Sequence, residues 1–413
     1  MATLIESPLK RLTPEQLEQL GREFDAIHDE VKAELGDRDR RYITSMIEMH
    51  RRLMVLSRVL LLASRNRPAW IAGTTTLSLA KILENMEIGH NVMHGQWDWM
   101  NDPQINSSTW DWDSASTPEA WKHSHNYVHH TFSNIRGKDR DLGYEIMRID
   151  PHQKWHPVYV LQPLYNLLLA GFFEWGVAAH DLHLDEIQSG QKDMAEVKRQ
   201  LKGMAGKARS QIVKDYVAWP LVSALVTSAV DVALGARRGP LKNAVAGALR
   251  GGLRSFRSTQ KADFTSNIVR NVWAYAIIFC GHFPDQTYTF SQQEVANETK
   301  GGWYVRQLLG AANIEGSPLF HVMSGNLGYQ VEHHLFPDMP STRYAEIAPR
   351  VREICERYGL PYNTGPFLAQ LGTVQRTILR LALPGGKPRP KPGPYRGDHA
   401  ERPPAREMAA AAA

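Results

Sequence analysis

Cysteine is almost absent from this 413-residue chain, which contains only Cys280 and Cys355. Two cysteines exclude a disulfide framework, a zinc ribbon and a cysteine-ligated iron–sulfur cluster within the chain. Any electrons that a metal site consumes must therefore come from a partner protein. The net charge of +5 is too small to indicate a nucleic-acid-binding protein, although it suits contact with anionic lipid headgroups.

The N-terminal residues lack the apolar stretch of a signal peptide, so none is predicted. Residues 1–45 are predicted to form a charged helical arm, followed by the main domain over residues 46–360. Residues 361–383 carry an apolar stripe on a basic helix, which either lies on a membrane or packs on the main domain. The Pro-rich and Ala-rich residues 384–413 are predicted to be disordered.

Long apolar runs are few, and some are shorter than the ~20 residues that a transmembrane helix needs. Four candidates for membrane spans are residues 53–63, 69–83, 157–179 and 216–234. Flanking arginines could extend the shorter runs by snorkelling. With four spans, the basic loop 182–215 would lie outside the cell, which the positive-inside rule disfavours. The segment starting at Pro157 could instead dip into the membrane without crossing it. Residues 268–283 are predicted to form a short dipping or buried helix that delivers His282 to the metal side.

Histidine is concentrated in three clusters, which is unusual. The clusters are His90 with His94, His125 with His129 and His130, and Gln330 with His333 and His334. Neutral imidazole is the commonest transition-metal ligand, and two residues four apart on a helix project from the same face. One such pair is more often structural than metal-binding. Three clusters on the same predicted side of the membrane indicate one metal centre assembled from several helices.

The number of histidines indicates two metal ions, because seven clustered imidazoles are too many for one. His282 is an eighth candidate, since it ends an apolar run where an imidazole without a partner would be costly. Nitrogen ligands without cysteine suit Fe, Zn, Cu or Ni. The His-Glu-x-x-His motif of zinc hydrolases is absent, and the single Glu87-x-x-His90 falls short of the two such motifs in carboxylate di-iron proteins. A histidine-rich diiron centre would suit oxygen activation on lipid chains.

Several polar residues near the clusters are candidates for a supporting role. Asp139 and Asp141 could accept hydrogen bonds from ligand imidazoles, although a turn of solvated acids is about equally plausible. Asn126 and Asn326 have the same status, and Gln330 is a weak ligand candidate. Other histidines are set aside: His180 and His183 follow a predicted membrane segment and are interpreted as interfacial, His123 is at most a supporting residue, and the remaining ones have no partner pattern.

Together the clusters resemble the integral-membrane fatty acid desaturases, whose pattern is H-x(3–4)-H, H-x(2–3)-H-H and [HQ]-x-x-H-H. The match extends from about residue 50 to 360. The sequence Gly-Lys-Asp-Arg-Asp141-Leu-Gly-Tyr after the second cluster is most similar to the bacterial acyl-CoA, linoleoyl-CoA desaturase-like branch. Gln330 replaces the first histidine of the third cluster, as in front-end desaturases. The His-Pro-Gly-Gly motif of a fused cytochrome b5 domain, which those enzymes often carry, is absent.

This resemblance implies a mainly α-helical integral membrane protein, with about four transmembrane helices and a cytosolic helical cap that carries a histidine-rich diiron site. The implied reaction is the O2-dependent introduction of a cis double bond into a fatty acyl chain, presented as acyl-CoA or acyl-lipid. Its partners would be membrane lipid and an external electron donor such as a ferredoxin or a flavin reductase, without nucleic acid. The implied location is a bacterial cytoplasmic membrane, with the active site on the cytoplasmic face. The implied iron ligands are His90, His94, His125, His129, His130, His282, His333 and His334.

Two alternatives remain at this stage. A hydroxylase of the same superfamily could use the same oxidant, and fold and clusters do not separate it from a desaturase. A non-enzymatic membrane metal-binding protein or transporter is the other alternative. A transporter should place its ionisable ligands within the spans, whereas these clusters lie at span ends and in polar segments.

Overall fold

The computed structural model describes residues 7–183, 186–187, 190, 192–237, 240–386 and 389–397. Nearly all of its regular structure is helical. The helices are α1 (Pro14–Ala33), α2 (Asp37–Leu62), α3 (Arg67–Leu83), α4 (Pro118–Trp121), α5 (Gln162–Gly171), α6 (Phe173–His180), α7 (Met194–Val213), α8 (Trp219–Ala236), α9 (Leu241–His282), α10 (Lys300–Gly310), α11 (Pro318–Met323), α12 (Gln330–Leu335), α13 (Tyr344–Tyr358) and α14 (Phe367–Leu381). Two short strands, β1 (Asn313–Glu315) and β2 (Thr364–Pro366), pair in parallel.

Three helices continue as π-helical turns. These are Glu84–His90 after α3, Lys122–His129 after α4, and Lys214–Ala218 between α7 and α8. The prediction that both histidine pairs lie on regular α-helices is therefore wrong, and π turns are frequent at functional sites. Gly89 permits the first of them, because a Cβ there would lie only 2.9 Å from the carbonyl oxygen of Glu84.

The long helix α9 is the central element of the helical layer. It packs against α8 and α3 along its length, and against α5, α6 and α14. Helices α2 and α3 pack against each other as a hairpin, and both contact α9. The prediction of a short separate helix over residues 268–283 is wrong, because these residues end a helix of 42 residues. The expected consequence still holds, since His282 is the last residue of α9 and lies among the other clustered histidines.

One helix in the described part of the chain is long and apolar enough to cross a membrane. It is the continuous rod Met194–Ala236, formed by α7 and α8, and it contains the predicted span 216–234. The faces of α2, α5, α8 and α9 also expose large apolar side chains, among them Val55, Leu167, Leu225 and Leu249. The predicted spans 53–63 and 69–83 fall in α2 and α3 and remain predictions.

The predicted span 157–179 is not a single helix. Its backbone breaks at Phe172, between α5 and α6. At one end, the amide of Gln162 donates to a backbone carbonyl of α14, and at the other, His180 contacts Asp141 beside the second histidine cluster. Both ends of the segment therefore contact parts of the chain near the histidines, and its dipping into the membrane stays a prediction. Helix α7 also contacts this region. There Lys207 donates a hydrogen bond to the backbone carbonyl of Trp112, in the segment before α4.

A second layer of helices caps the histidines. Helices α1, α10, α12 and α13 pack around an apolar core that includes Phe24, Tyr304, Leu308, Phe336 and Tyr344. The predicted N-terminal arm is helical, but it is docked on the cap rather than separate. The predicted boundary at residue 45 is also wrong, because it falls inside α2.

The C-terminal part of the chain packs on the protein. In α14 the predicted apolar stripe is turned inward, with Val374, Ile378 and Leu381 buried against the core around α9. Of the two interpretations of this helix, packing on the domain is therefore the correct one. The prediction of disorder from residue 384 fails for residues 389–397, where Lys391 donates to the backbone carbonyl of Asp285 (2.8 Å). Residues 398–413 lie outside the described residues.

Docking of α1 on the cap depends on Gly301 in α10. A Cβ at this position would lie 1.8 Å from the carbonyl oxygen of Leu17, so Gly301→Ala must push the two helices apart. We expect this variant to lose about 1–3 kcal/mol of stability, seen as a lower midpoint of thermal unfolding. The control is Gly372→Ala in α14, where a Cβ would meet nothing within 4 Å. Equal midpoints for the two variants would contradict the docked position of α1.

Candidate metal centre

Four histidines form the first of two groups. They are His90, His94, His125 and His333, and one ring nitrogen of each lies within 4.8 Å of the others. The π turn after α3 ends at His90, the π turn after α4 carries His125, and α12 carries His333. All four side chains are buried or nearly so. Converging imidazoles of this kind match the ligand set of a transition-metal ion.

Three further histidines form the second group. One ring nitrogen each of His129, His282 and His334 lies within 4.8 Å of the other two. The ring centroids of His129 and His282 are 4.8 Å apart, as are those of His282 and His334. This group joins the second histidine cluster, the end of α9 and the third cluster.

His130 lies between the two groups. Its ring centroid is 4.8 Å from that of His94 in the first group and 4.7 Å from that of His334 in the second. Neither of its ring nitrogens has a hydrogen-bond partner within the described residues. The structure thus brings all eight predicted ligands into one buried site with two adjacent centres.

Two aspartates hold the histidines of the second cluster. Nδ1 of His125 donates to Asp141 (3.3 Å), and Nδ1 of His129 donates to Asp139 (3.0 Å). These bonds fix the orientation of each ring. They leave the lone pair of Nε2 free to bind a metal. The predicted supporting role of Asp141 is consistent with this geometry.

Neutral partners hold the third cluster, and the sequence did not indicate them. Nδ1 of His333 donates to the hydroxyl of Tyr344 (3.2 Å), which donates in turn to a backbone carbonyl. Nδ1 of His334 donates to the amide oxygen of Gln307 (2.9 Å). Tyr344 and Gln307 come from α13 and α10, so the cap orients these imidazoles.

The inward-facing nitrogens are the main evidence for metal. Among the described residues, no hydrogen-bond partner exists for the buried Nε2 atoms of His94, His125, His129, His333 and His334. An unpaired buried polar atom costs on the order of 1–3 kcal/mol. Several such atoms aimed at two points fit metal ligation, which satisfies each of them.

Burial also keeps most of these imidazoles in the form that binds metal. It lowers the pKa of His90 to about 3 and the pKa values of His94, His130 and His333 well below the usual range. His129 differs, because the negative charges of the nearby aspartates outweigh the effect of burial and raise its pKa. A neutral imidazole retains the lone pair that a metal needs.

The weaker candidates have other contacts. The amide of Gln330 donates to Nε2 of His282 (3.0 Å), which leaves Nδ1 of His282 without a partner in the described part of the chain. Gln330 thus orients His282. Asn126 donates to the backbone carbonyl of Met93 (2.8 Å) and contacts no ligand imidazole, so it ties the second cluster to the first.

Glu87 and Asn326 belong to a separate network beside the site. The carboxylate of Glu87 accepts hydrogen bonds from Tyr42 (2.9 Å), Asn326 (3.0 Å) and Ser341 (3.0 Å). Burial raises the pKa of Glu87 to about 8. With its carboxylate engaged in this way, Glu87 does not act with His90 as a Glu-x-x-His metal motif.

His180 was misassigned from the sequence. It was interpreted as interfacial, but its Nε2 lies 3.1 Å from Asp141 and its side chain is only 6% exposed. Asp141 therefore connects His180 to the ligand candidate His125. A lone histidine at the end of an apolar segment gave no signal for this contact, which depends on the break at Phe172.

Two cavities meet at the site. The first extends from His90, His125 and His282 between apolar walls that include Phe173 and Ile278. The second is lined by several charged residues, among them Arg380, Arg389 and Lys391. Both are lined by His282 and Phe283. An apolar compartment and a basic compartment thus lie on either side of one histidine.

Comparison with known proteins gives consistent matches. Residues 68–366 match the model of the fatty acid desaturase family. The chain is 46% identical over 373 residues to the NADPH-dependent stearoyl-CoA 9-desaturase of Mycobacterium tuberculosis, covering 90% of this chain and 82% of the relative. It is 22% identical over 304 residues to the sn-1 linoleoyl-lipid 6-desaturase of Synechocystis, covering 72% of this chain and 76% of the relative. No solved structure matches the chain.

Loss of one imidazole from either group should lower the metal content. We expect His94→Ala and His334→Ala each to retain less than half of the wild-type metal per chain, because each group loses one ligand and binds its ion more weakly. Elemental analysis of the purified proteins measures this directly. His156→Ala is the control, since His156 is exposed and distant in sequence from the clusters. Wild-type metal content in both ligand variants would contradict the two-group assignment.

Proposed function

The chain belongs to the fatty acid desaturase family, and on this basis we propose that it is a stearoyl-CoA 9-desaturase. It would introduce a cis double bond at carbon 9 of the acyl chain, with O2 as co-substrate. The mycobacterial relative at 46% identity supports this choice of substrate and position. The observation that carries the proposal is the apolar cavity that reaches both histidine groups, because an acyl chain in it would lie beside both metals.

The histidines of the site suit two iron ions. His90, His94, His125 and His333 would hold one, and His129, His282 and His334 the other, with His130 between them. Iron bound there would supply the oxygen activation that removes hydrogen from unactivated methylene groups. Asp139 and Asp141 keep the Nδ1 protons of their histidines in place, so that both rings present Nε2.

The walls of the apolar cavity position the acyl chain and exclude water. Trp121 packs against His125 with ring centroids 4.6 Å apart, and Phe173 packs near Phe279 of α9. These side chains leave little room for solvent beside the reacting carbons. Because one stretch of the acyl chain would be held against the metals, reaction at one carbon position would be favoured over reaction at all others.

The basic cavity suits a coenzyme A headgroup. Its lining includes the basic residues Arg380, Arg389 and Lys391 and the acidic residues Asp150 and Asp285. Arginine and lysine are the usual partners of phosphate groups. A thioester that passes His282 would therefore place its phosphates in the basic cavity and its acyl chain in the apolar one. This arrangement supports acyl-CoA over acyl-lipid.

Electrons would come from an NADPH-dependent donor protein. The two cysteines of the chain are both buried and apart, so they provide no redox centre of their own. The printed name of the mycobacterial relative specifies dependence on NADPH. A flavin reductase, alone or through a ferredoxin, is the class of partner that transfers electrons from NADPH one at a time.

We further propose that the protein is embedded in the bacterial cytoplasmic membrane. Helices α2, α3, α8 and α9 would cross it, and their exposed apolar faces would contact lipid. The histidines and the cap would then face the cytoplasm, where acyl-CoA and NADPH are available.

Product analysis tests the reaction. Purified, iron-loaded protein in lipid nanodiscs, supplied with NADPH, a ferredoxin and its reductase, should convert stearoyl-CoA to oleoyl-CoA and consume one O2 per double bond. Mass spectrometry with double-bond location measures this. His129→Ala is the inactive control. Hydroxystearate without new unsaturation would indicate the hydroxylase instead, and absence of any product from stearoyl-CoA and shorter or longer acyl-CoA would contradict the proposal.

Lys391 provides a test of the headgroup cavity. Burial lowers its pKa to about 8, so its ammonium group loses its proton as the pH rises through that value. If the ammonium group binds a phosphate, the KM for stearoyl-CoA should rise between pH 7 and pH 9. Lys391→Arg, which stays charged, should flatten this dependence. Lys391→Ala should raise the KM on the order of tenfold at pH 7, the loss expected for one charged hydrogen bond.

The matched control for this series is Lys198→Ala, because Lys198 is exposed on α7 and does not line the basic cavity. Its KM should follow the wild-type pH profile. A wild-type KM that is independent of pH, together with an unchanged KM in Lys391→Ala, would remove Lys391 from the headgroup site.

A further inference from the structure

A buried ion pair stands at the end of the apolar cavity that lies away from the histidines. It joins Glu174 of α6 to Arg270 of α9, and their side chains are 4% and 2% exposed. Glu174 lines the apolar cavity itself. On α9 the cavity is lined by Asn271, Ala274, Ile278 and His282, which lead from the position next to Arg270 to the metal centre.

The position of this pair along α9 is consistent with the end of a substrate channel. Arg270 precedes His282 by twelve residues of continuous helix, which is roughly 18 Å along the helix axis. Asn85, in the π turn that ends at His90, also lines the cavity. Along α9 the lining extends from His282 to Asn271, the residue next to Arg270.

Other groups hold the pair rigidly in place. The amide of Gln211 donates to the second carboxylate oxygen of Glu174 (2.8 Å), and Arg270 also donates to the backbone carbonyl of Asp113 (3.1 Å). Asn271 donates to the backbone carbonyl of Gly171 (3.0 Å), which ties α9 to the turn before α6. Moving either charge would break several hydrogen bonds in a buried environment.

The space behind the pair is charged. A third cavity is lined by Arg270 together with Lys81, Asp113, Lys207 and Lys214, and Glu174 is absent from its lining. The ion pair thus separates an apolar compartment from a charged one. A methyl end that reached the pair would have to displace paired charges and then enter polar surroundings, both of which are unfavourable.

We propose that the Glu174–Arg270 ion pair sets the longest acyl chain that the enzyme accepts. This inference rests on the proposed acyl-CoA desaturase function and adds the determinant of chain length to it. The metal centre fixes where the double bond forms, counted from the thioester, and the ion pair limits how many carbons lie beyond that bond. Chains that end before the pair fit the cavity, and longer chains meet the charges.

The test is a double substitution that replaces the pair with apolar side chains, Glu174→Leu with Arg270→Met. Replacing both partners avoids leaving an uncompensated buried charge. The protein in nanodiscs is assayed with palmitoyl-, stearoyl- and eicosanoyl-CoA. In wild type we expect kcat/KM for eicosanoyl-CoA to be about tenfold or more below that for stearoyl-CoA, as for a pocket that rejects extra methylenes. In the double variant this ratio should approach one, while the double bond stays at the same position.

The matched control removes another buried ion pair that also involves α9, here joined to α2. Arg58 and Asp263 are 2.7 Å apart and 7% and 0% exposed, and neither lines the apolar cavity. Arg58→Met with Asp263→Leu should leave the chain-length ratio at its wild-type value. An equal shift in this variant would mean that general loosening, and not the end of the cavity, determines chain length.

A second variant keeps the test decisive if the double variant does not fold. Ala274→Leu fills the apolar cavity one turn closer to the metal centre and leaves the ion pair intact. It should shift the preference from stearoyl- to palmitoyl-CoA. An unchanged preference in an active Ala274→Leu or Glu174→Leu/Arg270→Met enzyme would overturn the inference. Failure of the proposed function is distinct, because the wild-type protein would then desaturate none of the three substrates.

Discussion

Unpaired imidazole nitrogen atoms in a buried site are the constraint on which the rest of this structure depends. The chain removes eight histidines from water, and most of their inner nitrogens have no partner in the described part of the protein. Such a site is unfavourable unless each lone pair binds a metal. The outer nitrogens are fixed by Asp139, Asp141, Gln307 and Tyr344, which belong to both the cap and the loop after the second cluster. The helical layer and the cap therefore both serve to hold these imidazoles in position.

The sequence was sufficient to predict which histidines the structure brings together, but not most of the residues that orient them. The ligands were predictable because histidine is rare and its spacing is regular, and His282 could be added because it ends an apolar run. Tyr344 and Gln307 carry no such signal, since tyrosine and glutamine occur in many environments and these two meet the site only through packing of the cap. Asp141 had a weak signal, and His180 was missed because its contact with Asp141 requires the chain to turn back at Phe172.

The apolar segments were harder to interpret than the histidines. Hydropathy located them, but it did not show that α9 continues for 42 residues or that residues 157–179 break into two helices. Of the charges near these segments, only the flanking arginines received a predicted role, as residues that snorkel and extend the shorter runs. In the structure Arg58 pairs with Asp263, Lys81 with Asp215, and Arg270 with Glu174, all inside the helical layer. Pairing between distant segments is a tertiary property, so a window of local sequence does not predict it.

The origin of the ligands in distant parts of the sequence has a consequence for assembly. Each group combines at least one histidine from the first third of the chain with one from α12 near its end, and the second group also includes His282 from the end of α9. A ribosome has therefore made most of the protein before either group can be complete, and the earlier histidines wait in a partly built site. Neither ligand set is complete before α12 has been synthesised, so a chain truncated before α12 would leave the ribosome with two incomplete ligand sets.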